Sequence, residues 1–172
     1  RRSSDRRILG PPGMKECVGA LENIFPDWVR PPALDLAIEE GSDGPLEFGG
    51  WRVKTAPTGH TADSVAFRVE FPEGSLVYGG DSSFSEKVIE LARGANLLVL
   101  ECSFPEGHPA EGHLTPSKAA IMASRAGVPR LLLTHFSPES DGADLNTQAR
   151  RHYTGELLLA ADALVLAASP ET

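Results

Sequence analysis

Two uninterrupted apolar runs, Leu97 to Leu100 and Leu131 to Leu133, constrain this chain more than any other feature. Apolar residues without polar partners between them mark short strands buried on both faces. The segment between the runs, Lys118 to Ala126, reads as a helix, and strands that alternate with helices in this way imply a parallel or mixed sheet. Upstream the pattern changes. Trp51-Arg52-Val53-Lys54-Thr55 alternates apolar and polar side chains, as does Val65-Ala66-Phe67-Arg68-Val69-Glu70-Phe71. Pro72-Glu73-Gly74 makes a tight connection to Ser75-Leu76-Val77-Tyr78, so these segments read as neighbouring antiparallel strands. Gly79-Gly80-Asp81 ends the last of them, and Ser83 is placed to cap a helix carrying Val88, Ile89 and Leu91.

The flanks extend this α/β pattern. Ile8-Leu9-Gly10 followed by Pro11-Pro12-Gly13 reads as a strand turning into a helix, since proline suits a first helical turn. Met14, Val18, Leu21 and Ile24 then recur at three- and four-residue steps as an amphipathic helix does. Pro26 and Pro31-Pro32 close that unit, Leu34 to Glu39 alternates as a half-buried strand, and Gly41 to Gly44 is a turn. A helix around Leu145 to Tyr153 and two strands, Glu156 to Leu159 and Ala163 to Ala167, are expected at the other end. No internal repeat of fixed period is present.

With 172 residues, of which 41% are hydrophobic and 23% charged, the chain has the make-up of one globular domain with a real core. A net charge of −8 argues against broad neutralisation of nucleic-acid phosphates. Arg1, Arg2, Arg6 and Arg7 form the one basic cluster and read as a solvated end. No stretch resembles a membrane span or a signal peptide, so a soluble protein with the cytoplasm as default location is expected. Cys17 and Cys102 lie far apart and form no metal knuckle or disulfide framework.

Four stretches put a metal-competent or proton-active side chain beside a strand end or a helix start: Thr58-Gly59-His60-Thr61, Gly79-Gly80-Asp81-Ser82, Gly112-His113-Leu114-Thr115 and Leu133-Thr134-His135-Phe136. Loops at one edge of a layered α/β sheet converge, so residues distant in sequence can meet around one ion or substrate. Taken singly, each has a plain structural alternative. A histidine after a buried strand serves equally as a packing or hydrogen-bonding residue, which covers His60 and His135. Gly-Gly-Asp also makes a good turn, although two glycines before Asp81 admit close backbone approach to an ion. His113 precedes a helix capped by Thr115 with Pro116 at its first position, and reads either as a proton donor or as a surface histidine before a cap. His108 reads as solvent-exposed.

Together and in order, these stretches resemble the metallo-β-lactamase superfamily, within it the ribonuclease Z-like branch that also holds phosphodiesterases and related hydrolases. Gly59-His60-Thr61-Ala62-Asp63-Ser64 is similar to the third metal motif, Val77-Tyr78-Gly79-Gly80-Asp81 to the fourth, and Leu132-Leu133-Thr134-His135-Phe136-Ser137-Pro138 to the fifth. Gly112-His113-Leu114-Thr115 resembles the extra histidine motif of the branch. The flanks Leu9 to Gly13 and Leu157 to Val165 are similar as well. The resemblance implies an α/β fold of the metallo-β-lactamase-like αββα sandwich type and a site for divalent metal, zinc foremost with manganese as the alternative. It assigns His60, Asp81 and His135 as metal ligands, with Asp81 bridging two ions, and His113 as the catalytic residue that protonates the leaving oxygen. The implied reaction is hydrolysis of a phosphodiester or related ester by a metal-bridged hydroxide.

The family's His-x-His-x-Asp-His signature does not occur in these residues. The chain is therefore expected to be an incomplete C-terminal portion of the fold, inactive without the N-terminal half and inclined to associate with that half or with itself. Catalytic zinc ordinarily keeps about three protein ligands per ion, so this chain alone is expected to hold at most one metal, weakly. Two other readings stand beside this one: a degenerate, non-catalytic domain kept as a binding or assembly module, and an unrelated α/β domain with unconnected histidines. A small phosphodiester or ester is favoured over RNA as substrate, because the balance is acidic and no basic Gly- and Pro-rich arm is evident.

Overall fold

The computed structural model describes residues 4–31, 34–41, 45–108 and 110–167. Residues 42–44 of the expected turn, Pro32, and the Arg1-Arg2 part of the basic cluster lie outside them. The chain divides into two compact units, Arg1–Gly44 and Pro45–Thr172.

In the first unit, strand β1 (Ser4–Gly10) and strand β2 (Leu34–Glu40) pair in parallel, with helices α1 (Met14–Ile24) and α2 (Pro26–Val29) between them in sequence. Pro26 opens α2 rather than ending the helical segment, because a missing N–H costs nothing at a first helical position. Gly10 ends β1 close to the next helix, and a Cβ there would push the Met14 side chain aside. Arg7 and Glu39 form an ion pair across the two strands.

The second unit is built on a seven-stranded sheet of order β3-β4-β5-β6-β7-β8-β9. Its strands are β3 (Leu46–Phe48), β4 (Trp51–Pro57), β5 (Val65–Phe71), β6 (Gly74–Tyr78), β7 (Leu97–Glu101), β8 (Arg130–Thr134) and β9 (Glu156–Leu159). Strands β3 to β6 pair antiparallel and β6 to β9 in parallel. The change of character seen in the sequence is therefore a change of pairing. Helices α3 (Glu86–Ala92), α4 (Pro116–Ala126) and α5 (Leu145–Arg150) are the parallel crossovers. Val77, Leu98, Leu100, Leu131 and Leu133 from the strands and Val88, Ile89, Met122 and Ala123 from the helices belong to one buried core. The neighbouring positions of the same strands, among them Leu76, Val99, Leu132 and Leu158, point the other way and are only partly buried.

Three further expectations need correction. Helix α3 is capped by Ser85, whose Oγ accepts from the Val88 N–H at 3.3 Å, not by Ser83. Ser83 instead donates to the Gly59 carbonyl at 2.9 Å, tying two loops together. The helix at Leu145 ends at Arg150 rather than Tyr153. Ala163 to Ala167 is not a strand; Arg130 there donates to the Ala167 carbonyl at 2.5 Å, so a side chain holds this segment rather than a sheet ladder.

Strand direction positions the site. Strands β6, β7 and β8 run parallel, and β4 is antiparallel to β5, which is antiparallel to β6, so β4 runs the same way as the other three. The C-terminal ends of all four therefore open on one edge of the sheet, the edge where open α/β sheets carry their ligands.

Candidate functional site

Each of those four ends delivers a polar side chain. His60 follows β4, Asp81 follows β6, Glu101 is the last residue of β7, and His135 follows β8. The loop from β7 to α4 adds His113. The structure thus brings the four sequence-selected residues, His60, Asp81, His113 and His135, into one cluster, and leaves His108 exposed and apart from it. The ring centroids of His60 and His113 are 4.7 Å apart, and those of His113 and His135 are 6.2 Å apart.

Local backbone explains each placement. Gly79 lies against β7, where a Cβ would come within 2.7 Å of the Leu100 side chain, and Gly80 takes a positive φ of 58°. Together they let the chain leave β6 and turn Asp81 onto the edge. His135 itself has φ of 58°, a left-handed conformation that non-glycine residues adopt at a cost of about 1–3 kcal/mol and that concentrates at functional sites. The loops after β4 and β6 are laced by serines. Ser82 Oγ lies 3.4 Å from the buried Thr58 carbonyl, and Ser85 Oγ donates to the Pro57 carbonyl at 3.2 Å.

Two histidines are held through Nδ1. His60 Nδ1 lies 3.0 Å from the Gly112 carbonyl, which can only accept, so the ring proton sits on Nδ1 and Nε2 offers a lone pair. Gly112 has φ of +82°, and a Cβ on it would stand 3.1 Å from His60 Nδ1. His113 Nδ1 lies 2.9 and 3.1 Å from the two carboxylate oxygens of Glu101, which fixes that ring in the same sense.

Glu101 was missed in the sequence. It is 1% exposed and accepts from the Ser82 N–H at 2.8 Å, the Ser103 hydroxyl at 2.5 Å, and the Ser103 and Leu114 N–H groups at 3.3 Å, besides His113. A buried carboxylate is tolerable only with its lone pairs filled in this way. The signal was present: a single acid directly after the apolar run Leu97 to Leu100 has the same form as His135 after Leu131 to Leu133. Next to it, burial and the neighbouring Glu101 charge push the Cys102 thiol up to about 12, so this cysteine stays protonated and inert.

The donor set suits a divalent metal. His135 Nε2 and Asp81 Oδ1 are 3.4 Å apart, and His60 Nε2 and Asp81 Oδ2 are 4.0 Å apart. Two ligand atoms each about 2.1 Å from a tetrahedral ion lie about 3.4 Å from one another, so the Asp81 and His135 pair stands at the separation a shared ion requires. Ligand atoms of Asp81, His113 and His135 all fall within 4.8 Å of one another, as do those of His60, Glu101 and His113. Imidazole nitrogen with carboxylate oxygen is the ligand mixture of zinc and related metals.

Residues 9–136 match the family model described as the β-lactamase superfamily domain. An uncharacterized protein of Mycobacterium tuberculosis is 32% identical over 159 residues, covering 90% of this chain and 58% of that protein. Ribonuclease Z of Mycolicibacterium paratuberculosis is 34% identical over 155 residues, covering 76% of this chain and 55% of that protein. The crystal structure of the metallo-β-lactamase fold protein YhfI from Bacillus subtilis superposes with a TM-score of 0.76 at 25% identity, covering 91% of this chain and 62% of that one. The chain thus spans somewhat more than half the length of these curated relatives, and the metallo-β-lactamase-like α/β fold expected from its motifs is the fold it has.

Proposed function

The chain belongs to the β-lactamase superfamily, with a ribonuclease Z-like relationship, and on that premise we propose that it forms part of a metal-dependent hydrolase of phosphodiesters or related esters. The convergence of His60, Asp81, His113 and His135 on one sheet edge carries this reading. His60 through Nε2, His135 through Nε2 and Asp81 through its carboxylate would hold divalent metal, zinc foremost. That metal would supply Lewis-acid stabilisation of charge developing on a phosphoryl or carbonyl oxygen.

The protein's own groups do the rest. The Gly112 carbonyl keeps the His60 proton on Nδ1, as second partners of metal-binding histidines commonly do. Glu101 holds His113 with Nδ1 toward itself and so directs Nε2 into the cluster. When both ring nitrogens are protonated, His113 carries on Nε2 the proton that a departing oxygen needs. Phe104, whose ring meets His113 edge-on at 5.7 Å, limits the ring's freedom to swing away.

Three side chains are few for a two-ion hydrolytic site, and the chain spans 58% and 55% of the two relatives named above. The remaining ligands are therefore assigned to polypeptide beyond these 172 residues, and the chain by itself to one metal at most. A net charge of −8 favours a small phosphodiester or ester over RNA as substrate. Zinc titration of the purified chain followed by calorimetry tests the metal assignment: about one ion bound, and none in Asp81→Ala, is expected. Binding that survives Asp81→Ala would overturn it. The partly buried sheet face of Leu76, Val99, Leu132 and Leu158 supports association with a second copy or with the complementary part of the fold. Sedimentation should then show species heavier than one chain, and a monodisperse monomer would refute that association.

A further inference from the structure

Ser103 lies two residues beyond Glu101 and is 3% exposed. Its hydroxyl donates to Glu101 Oε2 at 2.5 Å and stands 3.3 Å from His113 Nδ1. Its carbonyl accepts from the Ser137 N–H at 3.1 Å and from the Ser140 hydroxyl at 3.2 Å. The main chain of Ser103 is thus clamped against the segment that follows His135, and the hydroxyl has little freedom except rotation about its own bond.

The orientation of that rotor matters. Glu101 in its ionised form only accepts, so the Ser103 hydroxyl next to it is obliged to donate. The other donors to Glu101 are His113 Nδ1 and the main-chain N–H groups of Ser82, Ser103 and Leu114. The Ser82 N–H holds Oε1 at 2.8 Å, while the main-chain groups of Ser103 and Leu114 reach Oε2 only at 3.3 Å; the hydroxyl makes the short, charge-assisted bond to Oε2. With Oε2 held by Ser103, Oε1 is presented to His113 Nδ1 at 2.9 Å.

We infer that Ser103 is a positioning residue for His113: its hydroxyl locks the Glu101 carboxylate in the rotation that keeps the imidazole proton on Nδ1 and leaves Nε2 to the cluster. Ser103 touches no reacting atom and acts through Glu101, with its own 3.3 Å contact to His113 Nδ1 beside it. The functional meaning of this rests on His113 being the proton donor proposed above, but its test does not. The ring is read in the metal-free chain without turnover, so loss of the hydrolase reading and loss of this one are separate results.

The experiment is long-range proton–nitrogen correlation spectroscopy on the full chain labelled with ¹⁵N-histidine, at a pH where the rings are neutral. The unaltered chain should show His113 with a protonated Nδ1 and an unprotonated Nε2. In Ser103→Ala the two nitrogens should move toward each other as both tautomers become populated, while His60, held by the Gly112 carbonyl, keeps its pattern and serves as internal control. Ser103→Thr, which restores a hydroxyl, should restore the first pattern. An unchanged His113 in folded Ser103→Ala would overturn the inference, and so would a failure of Ser103→Thr to differ from Ser103→Ala. Should Ser103→Ala not fold, Ser103→Cys, a weak donor of similar size, carries the same test: His113 must show a mixed pattern, and an unmixed one refutes the assignment.

Discussion

Replacing Glu101 by glutamine separates the two things this residue does, because Gln has the same shape but one acceptor oxygen and one amide donor in place of two acceptors. If the amide nitrogen takes the Oε2 position, it faces the N–H groups of Ser103 and Leu114, both 3.3 Å from that atom. Two buried donors are then left without acceptors, at about 1–3 kcal/mol each. If it takes the Oε1 position, it faces the Ser82 N–H, 2.8 Å away, and His113 Nδ1, 2.9 Å away. One main-chain donor is lost at about 1–3 kcal/mol, and His113 escapes the second clash by moving its proton to Nε2. The second arrangement is the cheaper one. Glu101→Gln should therefore lower stability by about 1–3 kcal/mol, a fall in Tm on the order of 2–12 °C for a chain of this size, and should reverse the His113 tautomer. Thermal unfolding measures the first, and the histidine nitrogen spectrum the second. In a complete enzyme the loss of the orienting carboxylate should lower hydrolysis by as much as about 10⁴, the scale on which amidating the orienting carboxylate of a Ser-His-Asp triad acts. A variant within about 0.5 kcal/mol of the parent, the range of an ordinary surface change, with the His113 ring unaltered, would refute the claim that Glu101 holds this loop.

Gly112→Ala forces a Cβ into a left-handed backbone and to 3.1 Å from His60 Nδ1. A stability loss of about 1–2 kcal/mol is expected from the backbone, and a roughly tenfold or greater weakening of zinc binding from the disturbed His60 partner, read by melting and by calorimetric titration; no change in either sinks the assignment. Glu106 carries the acid-sensitive part of the same loop. Its burial alone would raise its pKa, but hydrogen bonds from Thr115 and from Ser117 outweigh that and hold it below the usual carboxylate value. A folded-state value below the unfolded one stabilises the protein above the unfolded pKa, and the contribution disappears as pH falls through the folded value. The gap in urea midpoint between the parent and Glu106→Gln should accordingly be widest near neutrality and close in the acid range, and a gap that does not vary with pH would contradict the role given to Glu106.

Much of this architecture was readable because burial leaves a periodic trace. The runs at Leu97 and Leu131 and the alternation at Trp51 and Val65 each correspond to a strand of the expected pairing sense. Where the reading failed, the determinant was a contact with a residue far away in sequence. Ser83 and Ser85 are equivalent as caps on local chemistry, and what separates them is that Ser83 reaches the Gly59 carbonyl, 24 positions earlier. Ala163 to Ala167 has the composition of a strand, yet Arg130 holds its end by a side-chain bond and no ladder forms among the described residues.

The candidate site shows the same division between what is local and what is not. His60, Asp81, His113 and His135 were visible because each stands at the end of an apolar run or beside a glycine, which is a local property. Glu101 stands at such an end too, but a single acid after a strand says nothing until its partners are known, and those are Ser82 from one loop and Ser103, His113 and Leu114 from another. Its importance is a matter of counting lone pairs in three dimensions. A carboxylate at 1% exposure is destabilising unless nearly every acceptor position is filled. A sequence that places one there has thereby fixed the loops that fill it. The loops bearing Asp81 and His113 are therefore held by one buried charge, and perturbing that charge should disturb both at once, whereas altering the exposed His135 should disturb only itself.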